Sequence, residues 1–307
     1  MLDRLLSAFR WHYSLCEPYR KICDSFGWHP DKSDSYETLP YVQTDYFKHM
    51  GRELISVPEK DIVHWLTSSS TSGKPSTVGV DRQTIRKQQQ CLAATLTPII
   101  GTERKPFIVC DSDLTGGKTL PARSAGLRGL LALSNGYSMG WHNIPDEPCV
   151  VIGFTYVVWT EFIQPRLPHQ RAEFHPDSVL LHLGGWKHLE AQKVDRPTFA
   201  AGVLDVTGIT NVVDLYGFTE QMGVVYPDCE LGNKHGKVLI RDPLTHATVN
   251  KGLGQFFSDV PISYPGFSVL TDDIIERVDC PCGPNGFRVL GRAKGVELRG
   301  CGDVYAR

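Results

Sequence analysis

The stretch Ser178-Val-Leu-Leu-His-Leu-Gly-Gly185 is a run of large apolar residues that stops abruptly at two glycines. The run Asn211-Val-Val-Asp-Leu-Tyr-Gly217 ends in the same way, and residues 107–110 and 149–152 are further short apolar runs. Segments expected to be helical separate these runs: residues 124–133, which are rich in glycine, and residues 186–194, which have helical spacing. Buried strands that alternate with helices predict an α/β fold with a mainly parallel sheet. Ligands of such sheets bind at the carboxyl ends of the strands, where these glycine turns fall.

From Gly223 onward the pattern changes to short apolar strands that are separated by turns. These strands are predicted at residues 236–241, 267–270, 274–278 and 286–290. The change indicates a smaller β-rich lobe after the α/β core. We therefore expect residues 1–222 to form a helical N-terminal segment with an α/β nucleotide-binding core. Residues 223–307 would form the β-rich lobe and the C-terminal tail, with both parts joined in one continuous catalytic unit.

The composition restricts the class of protein. A chain of 307 residues can bury a large core, and 41% apolar with 21% charged residues is typical of soluble globular proteins. The net charge of -2 gives no electrostatic reason to expect binding to nucleic acid. No segment approaches the ~20 apolar residues of a membrane helix, and residues 1–10 lack the apolar core of a signal peptide. We expect a cytoplasmic protein without membrane insertion, whose nine cysteines are reduced thiols.

Residues 67–76 read Thr-Ser-Ser-Ser-Thr-Ser-Gly-Lys-Pro-Ser, an unusual concentration of small hydroxyl side chains. Ser and Thr favour turns over helices, and hydroxyls, backbone N–H groups and one ammonium suit a polyphosphate. The P-loop spacing is absent, because Lys74 precedes a proline and Ser68 stands where the first glycine would be. A solvated linker is the alternative interpretation. The flanking segments 61–66 and 77–80 have the character of strands, which favours the tip of a hairpin.

Helices are predicted on both sides of this loop. Two short helices cover residues 2 to about 26, interrupted by Pro18. After the loop, Asp81 can cap a helix that ends near Pro98. Before the loop, the segment Leu39-Pro-Tyr-Val-Gln-Thr-Asp-Tyr-Phe-Lys48 combines a proline turn with polar and aromatic residues. Its simplest interpretation is a surface element that is packed by its aromatic rings.

Four further motifs could carry chemistry. Tyr216-Gly-Phe-Thr-Glu220 places a hydroxyl and a carboxylate at a strand end, where they suit a phosphate and its Mg²⁺. Its glutamate could equally be a helix-start carboxylate. Gly184-Gly-Trp186 lets a planar ring approach the backbone, or it is an ordinary turn. Thr271-Asp-Asp273 could hold ribose hydroxyls, or it is a polar strand end, and Gly291-Arg292 adds a cation.

In this order along the chain, the motifs resemble the series found in adenylate-forming enzymes. That superfamily includes acyl-CoA synthetases, phenylacetate-CoA ligases and acyl-protein synthetases, and the resemblance extends from Thr67 to Arg292. Within it, the sequence is most similar to the acyl-protein synthetases of bacterial bioluminescence operons (LuxE-like). This narrower resemblance depends on residues 39–48, on Val80-Asp-Arg-Gln-Thr84 and on the ending Gly291-Arg-Ala-Lys-Gly-Val-Glu-Leu-Arg-Gly-Cys301.

The resemblance implies how ATP would be held. The hydroxyl-rich loop would contact the β- and γ-phosphates, and a glycine turn with two aromatic residues would line the adenine. The residues implied at the phosphates are Ser68, Ser69, Ser70, Thr71, Ser72, Gly73 and Lys74. The residues implied at the adenine are Gly184, Gly185, Trp186, Tyr216 and Gly217.

The resemblance also implies the residues of the reacting centre. Thr219 would contact the α-phosphate or the acyl carbonyl, and Glu220 would bind Mg²⁺. Asp273, at the aspartate of the family's Thr-Gly-Asp motif, would hold ribose with help from Arg292. Cys301 matches the near-terminal cysteine on which acyl-protein synthetases carry the acyl group as a thioester.

The sequence departs from the family pattern in several places. Ser70 and Ser72 stand where the loop usually has Gly and Thr, and Ser76 replaces a common lysine. Asp272 replaces a glycine, so either of two adjacent aspartates could face ribose. Only residues 293–307 follow the Gly-Arg motif, so we expect the separate C-terminal domain that supplies a catalytic lysine in most of these enzymes to be absent. This shortness is similar to the acyl-protein synthetases, and it leaves the adenylation lysine unassigned.

Two cysteines near the C-terminus suggest a metal. Cys280 and Cys282 could join Cys229 or His235 in a structural Zn²⁺ site of the β-rich lobe. Metal knuckles usually use Cys-x-x-Cys pairs, so a plain turn with free thiols is the alternative.

The resemblance implies ATP- and Mg²⁺-dependent activation of a carboxylic acid, in particular a fatty acid, as acyl-AMP. The acyl group would then pass to Cys301 and on to a partner, by resemblance an acyl reductase. Two alternatives stay open. One is a ligase that delivers to CoA or to a carrier-protein thiol, with Cys301 a bystander. The other is a weakly active nucleotide-binding subunit that regulates a reductase complex.

Overall fold

A computed structural model describes residues 1–68, 74–111, 117–167, 169–186, 192–227, 235–280 and 283–293, without the side chains of residues 280 and 283–285. The helices in these ranges are α1 (Leu2–Leu15), α2 (Glu17–Ser25), α3 (Thr44–Met50), α4 (Arg82–Ile100), α5 (Ala122–Leu131), α6 (Thr155–Val157) and α7 (Arg196–Thr207). The first strands are β1 (Val42–Gln43), β2 (Ile62–Thr67), β3 (Thr77–Asp81), β4 (Pro106–Cys110), β5 (Thr119–Pro121), β6 (Gly136–Met139) and β7 (Val150–Phe154). The later strands are β8 (Val179–Leu183), β9 (Asn211–Tyr216), β10 (Tyr226–Pro227), β11 (Gly236–Arg241), β12 (Lys251–Ser258), β13 (Ser268–Cys280) and β14 (Gly283–Arg292). None of the helices in the described ranges has the length and apolar character needed to cross a membrane.

The central sheet has six strands in the order β10-β9-β8-β7-β4-β6. Strands β9, β8, β7, β4 and β6 are parallel to one another, and β10 pairs with β9 in the antiparallel sense. Helices α4 and α5 cover one face, while α7 and the π-helix Val158–Ile163 that continues α6 cover the other. Strands with helices on both faces have continuous apolar runs in their sequence. The predicted α/β fold with a mainly parallel sheet is confirmed.

The β-rich lobe contains a second sheet in the order β1-β13-β12-β11, with β14 paired to β13. The structure corrects the prediction of separate strands at residues 267–270 and 274–278, because β13 is continuous. The polar residues Thr271, Asp272 and Asp273 interrupt the apolar pattern, yet the backbone pairing continues, with Asp273 opposite Arg292. The motif is therefore an interior part of a strand and does not end one.

Strand β12 has no counterpart among the predicted strands, because two glycines break its apolar pattern. Both are required by close packing. A Cβ on Gly252 would lie 2.2 Å from the carbonyl oxygen of Arg241, and one on Gly254 would lie 2.4 Å from the ring of Phe256. These contacts explain a strand that sequence patterns alone do not reveal.

The hydroxyl-rich loop lies on the predicted hairpin, since β2 and β3 pair in the antiparallel sense. Strand β5 adds in parallel to β2, which brings the start of α5 beside the base of the loop. Asp81 caps α4 by accepting a hydrogen bond from the N–H of Thr84 at 2.8 Å, as predicted. Helix α4 continues past Pro98 to Ile100, and Gly101 ends it with a φ of 90°.

The N-terminal helices α1 and α2 pack on the β-rich lobe. Leu5, Phe9 and Tyr19 share one buried cluster with Phe267 and Val269. The two predicted helices are confirmed, although Pro18 lies in the first turn of α2 instead of between the helices. This position is tolerated because the first N–H groups of a helix have no partner within it.

Candidate active site

Three parallel strands end side by side at the carboxyl edge of the central sheet. The register pairs Phe154 of β7 with Leu183 of β8, and Leu183 with Leu215 of β9. Neighbouring strands are about 4.8 Å apart. The Gly184-Gly185 turn and the Tyr216-Gly217 turn therefore lie next to each other, where this class of sheet binds ligands.

Tyr216 connects this edge to the β-rich lobe. Its hydroxyl donates a hydrogen bond to Asp273 Oδ2 at 2.7 Å, and its ring stacks on Phe256 with a centroid distance of 5.1 Å. Arg292 Nε lies 3.6 Å from the other oxygen, Asp273 Oδ1. Burial raises the pKa of the Asp273 carboxyl, while the bonds from Tyr216 and Arg292 oppose that rise. Burial and the nearby carboxylate raise the pKa of the Tyr216 hydroxyl, so it stays a donor.

The two adjacent aspartates have different partners. Asp272 Oδ2 accepts a hydrogen bond from the Thr44 hydroxyl at 3.2 Å and lies 3.6 Å from Lys48 Nζ. Both partners belong to α3. Asp273 faces Tyr216 and the central sheet instead. Side chains alternate between the faces of a strand, which explains why consecutive aspartates separate in this way.

Thr219 and Glu220 lie in a short 3₁₀ turn after β9 and are both buried. Gln221 fixes this turn, because its side-chain amide donates to the carbonyl oxygens of Phe256 at 2.9 Å and Gly266 at 2.8 Å. Burial raises the pKa of the Glu220 carboxyl, and a hydrogen bond with Ser76 opposes the rise. The carboxylate is thus held next to the base of the hydroxyl-rich loop.

The base of that loop is closed by two hydrogen bonds. The N–H of Ser68 donates to the carbonyl of Ser76 at 2.9 Å, and the N–H of Ser76 donates to Ser68 Oγ at 2.9 Å. Lys74 is exposed and its Nζ lies 3.4 Å from the carbonyl oxygen of His49. The remaining loop residues proposed for phosphate contacts lie outside the described residues: Ser69, Ser70, Thr71, Ser72 and Gly73.

The three residues of the Gly184-Gly-Trp186 motif after β8 lie in different environments. Gly184 has a φ of 79°, a left-handed conformation that favours glycine, and Gly185 is exposed with open space around its Cα. Trp186 is only 6% exposed and packs in the cluster that covers one face of the central sheet. Its burial indicates a packing role for this ring, with the two glycines left at the edge.

The predicted cysteine sites are not described. Cys229, Cys282 and Cys301 lie outside the described residues, as does the side chain of Cys280. The zinc site and the acyl-cysteine therefore stay predictions. In the described ranges no group of three or more His, Cys, Asp and Glu side chains could hold a metal.

Two features near the site were not assigned a role from the sequence. One is α3, whose Thr44 and Lys48 reach Asp272. The other is Arg123, which forms a bidentate ion pair with Asp111 at the end of β4, with N–O distances of 2.7 and 2.6 Å. The same guanidinium donates a hydrogen bond to the Tyr156 hydroxyl at 2.8 Å. An aspartate directly after a buried strand is a signal that could have revealed the second feature.

Comparison with known proteins gives a consistent picture of the family. A family model described as "Acyl-protein synthetase, LuxE" matches residues 2–136 and 140–307. A "Long-chain-fatty-acid--luciferin-component ligase" of Photorhabdus luminescens is 36% identical over 78 residues, which are 25% of this chain and 65% of that protein. A ligase of the same name from Aliivibrio fischeri is 34% identical over 87 residues, which are 28% of this chain and 22% of that protein. These alignments thus span less than two thirds of either relative.

Solved structures show the same fold. A 2-hydroxyisobutyryl-CoA ligase in complex with 2-HIB-AMP superposes with a TM-score of 0.68 at 17% identity, covering 95% of this chain and 66% of that one. An ATP-bound RpMatB-BxBclM chimera superposes with a TM-score of 0.51 at 13% identity, covering 78% and 49%. At these identities the likeness concerns the fold, which is the mixed α/β fold of adenylate-forming ligases.

Proposed function

Because this chain belongs to the LuxE acyl-protein synthetase family, we propose that it activates a carboxylic acid with ATP and Mg²⁺ as acyl-AMP. The acyl group then passes to the thiol of Cys301 and on to a partner, an acyl reductase. The proposed acid is a long-chain fatty acid, the class named for the two relatives.

One observation supports this function above the others: two polar pairs meet at the carboxyl edge of the parallel sheet. The first pair is Tyr216 with Asp273, 57 residues apart in sequence. The second is Glu220 with the base of the hydroxyl-rich loop, because the 3₁₀ turn that carries Glu220 packs against β3, which begins directly after Ser76. A carboxylate acceptor beside one strand end suits ribose hydroxyls, and a loop of donors beside a buried carboxylate suits phosphates with a bound cation.

The proposed chemistry follows from the poor leaving group of a carboxylate. A carboxylate oxygen attacks the α-phosphorus of ATP, the bond to the bridging oxygen breaks, and pyrophosphate leaves with the electron pair. The Thr219 hydroxyl donates to the α-phosphate, and Asp273 accepts from ribose. The loop that begins at Ser68 donates to the β- and γ-phosphates, with Lys74 as a nearby cation. Such fixed donors stabilise charge that develops in the transition state.

Glu220 fits the role of the Mg²⁺ ligand in this scheme. Mg²⁺ bound to a nucleotide usually takes one or two protein carboxylates, with phosphate oxygens and water as its other ligands. Glu220 supplies one buried carboxylate at the phosphate end, and the cation would neutralise the charge of the phosphates. Binding of the cation would also favour the ionised carboxylate, against the effect of burial on its pKa.

In the second half of the proposed reaction the Cys301 thiolate attacks the acyl carbonyl, and AMP leaves with the electron pair. Cys301 stands between Gly300 and Gly302, and Arg299 is close enough in sequence to favour a thiolate. The thioester keeps the acyl group reactive, so a partner nucleophile or a reductase can accept it.

Acid-dependent exchange of labelled pyrophosphate into ATP tests the first half of the reaction. We expect exchange with at least one member of a panel of carboxylic acids of increasing chain length. Nucleotide binding without exchange for any acid would contradict the proposal and favour a regulatory subunit. If exchange occurs, release of acyl-CoA on addition of CoA would favour the alternative ligase that delivers to CoA.

Cys301→Ser tests the second half. We expect this variant to keep the pyrophosphate exchange and to lose the labelled acyl-protein, because the exchange precedes the thiol. Cys23→Ser is a matched control, since Cys23 is fully buried and remote in sequence. Retention of a hydroxylamine-sensitive acyl label on Cys301→Ser would assign the acyl group to another residue.

A further inference from the structure

Helix α3 is held between the two halves of the candidate site. Strand β1, which leads into α3, pairs in parallel with β13, with Val42 opposite Val269. At the other end of the helix, a Cβ on Gly51 would lie 2.1 Å from the carbonyl oxygen of Thr77 on β3. The helix therefore touches both the strand of the paired aspartates and the hairpin of the hydroxyl-rich loop.

Lys48 extends from α3 toward the site. Its ammonium lies 2.5 Å from Asp45 Oδ1 and 3.6 Å from Asp272 Oδ2, and its side chain is 32% exposed. Its positive charge opposes the rise that burial causes in the pKa of Glu220, and the positive charge of Arg292 opposes the rise in the pKa of Lys48. Lys48 is thus within electrostatic reach of the phosphate end and of the ribose end of the site.

From this geometry we propose that Lys48 is a catalytic residue whose ammonium contacts the α-phosphate of the bound nucleotide, an inference that rests on the proposed function. An ammonium has three N–H donors, and the contacts with Asp45 and Asp272 occupy at most two of them. The third donor has no contact among the described residues, so it is available to a ligand that binds beside Asp272 and its neighbour Asp273. The α-phosphate is the part of a nucleotide that joins the ribose to the other phosphates.

The role of Lys48 is electrostatic and requires no proton transfer. When the acid attacks the α-phosphorus, negative charge accumulates on the phosphoryl oxygens as pyrophosphate departs, and a fixed cation stabilises that charge. Burial lowers the pKa of Lys48, but the hydrogen bond with Asp45 and the charge of Asp272 outweigh it and raise the pKa overall. The ammonium therefore keeps its charge throughout the reaction.

The competing explanation is that Lys48 only fastens α3 to β13 through Asp272. Thr44 offers a matched control, because its hydroxyl contacts the same oxygen, Asp272 Oδ2, from the same helix without carrying charge. Thr44→Val removes one hydrogen bond between α3 and β13 and leaves the ammonium of Lys48 in place. A purely structural role predicts similar effects for Thr44→Val and Lys48→Gln.

The test compares binding of AMP and adenosine by calorimetry, together with pyrophosphate exchange at saturating ATP and acid. For Lys48→Gln we expect AMP to bind about 10- to 100-fold more weakly, because a charge-assisted contact is lost. Adenosine, which has no phosphate, should bind with unchanged affinity. We expect kcat for exchange to fall about 100-fold, the usual effect of removing one transition-state donor.

The outcomes separate the two proposals. Equal losses for AMP and adenosine, equal effects of Thr44→Val and Lys48→Gln, or unchanged AMP binding by Lys48→Gln would each overturn the role of Lys48. Absence of exchange by the unmodified chain for every acid would contradict the proposed function. The comparison of AMP with adenosine would then still decide whether Lys48 contacts the phosphate.

Discussion

Tyr216→Phe should weaken the connection between the central sheet and the β-rich lobe. The substitution removes one oxygen atom and leaves the ring in place, so the stacking on Phe256 remains. What is lost is the hydrogen bond that the Tyr216 hydroxyl donates to Asp273 Oδ2 at 2.7 Å. Arg292 is then the main partner of that carboxylate, at 3.6 Å from its other oxygen.

The expected loss follows from the charge and burial of Asp273. A hydrogen bond to a charged group contributes about 1.5–3 kcal/mol. The side chain of Asp273 is 21% exposed, so water can replace part of the lost bond. We therefore expect Tyr216→Phe to lower the free energy of unfolding by about 1.5 kcal/mol, the lower end of that range.

The loss should depend on pH. The Tyr216 hydroxyl stabilises the ionised form of Asp273, so its removal raises the pKa of that carboxyl further above its usual value. The difference between the two proteins should be largest at pH values above the pKa of Asp273. It should shrink to about 0.5–1 kcal/mol as the pH falls through that pKa, because a protonated carboxyl forms only a neutral hydrogen bond.

Urea unfolding of both proteins at several pH values measures this difference. Tyr264→Phe is the matched control, because the Tyr264 hydroxyl is buried without a hydrogen-bond partner in the described residues. Its removal should cost little stability or increase it. Equal stability of Tyr216→Phe and the unmodified protein at neutral pH would refute the reasoning, as would a loss that is independent of pH.

Two further predictions concern the neighbouring elements. Burial raises the pKa of the Glu220 carboxyl in the folded protein above its usual value of 4.5, so the unfolded chain ionises at lower pH than the folded protein. Stability is therefore lost as the pH rises from about 4.5 through the pKa of the folded state. Glu220→Gln should therefore be more stable than the unmodified protein at pH 8 and no more stable at pH 4, and equal pH dependence in thermal unfolding would contradict this. Gly51→Ala should lower the free energy of unfolding by about 1–3 kcal/mol or more, because its Cβ would meet the Thr77 carbonyl. The control Gly136→Ala has open space for its Cβ and should change the melting temperature little, so similar effects of both substitutions would exclude the steric explanation.

Much of the fold could be predicted from local patterns. Apolar runs such as Val150–Phe154 and Val179–Leu183 are buried on both faces, so their composition alone indicates strands of a covered parallel sheet. The Asp81 cap likewise depends on residues close in sequence. Strand β12 could not be predicted, because its glycines are required by contacts with Arg241 and the Phe256 ring, and packing of that kind leaves no local signal.

The sequence by itself therefore determined the parallel sheet and the order of the polar motifs along it. Only the tertiary structure decided which polar groups meet, namely Tyr216 with Asp273 and Lys48 with Asp272. Burial of a strand follows from the residues within it, because the hydrophobic effect acts on each side chain where it lies. Contacts between residues distant in sequence follow from strand order and register, which bring together two sheets and a helix that no local pattern relates to one another.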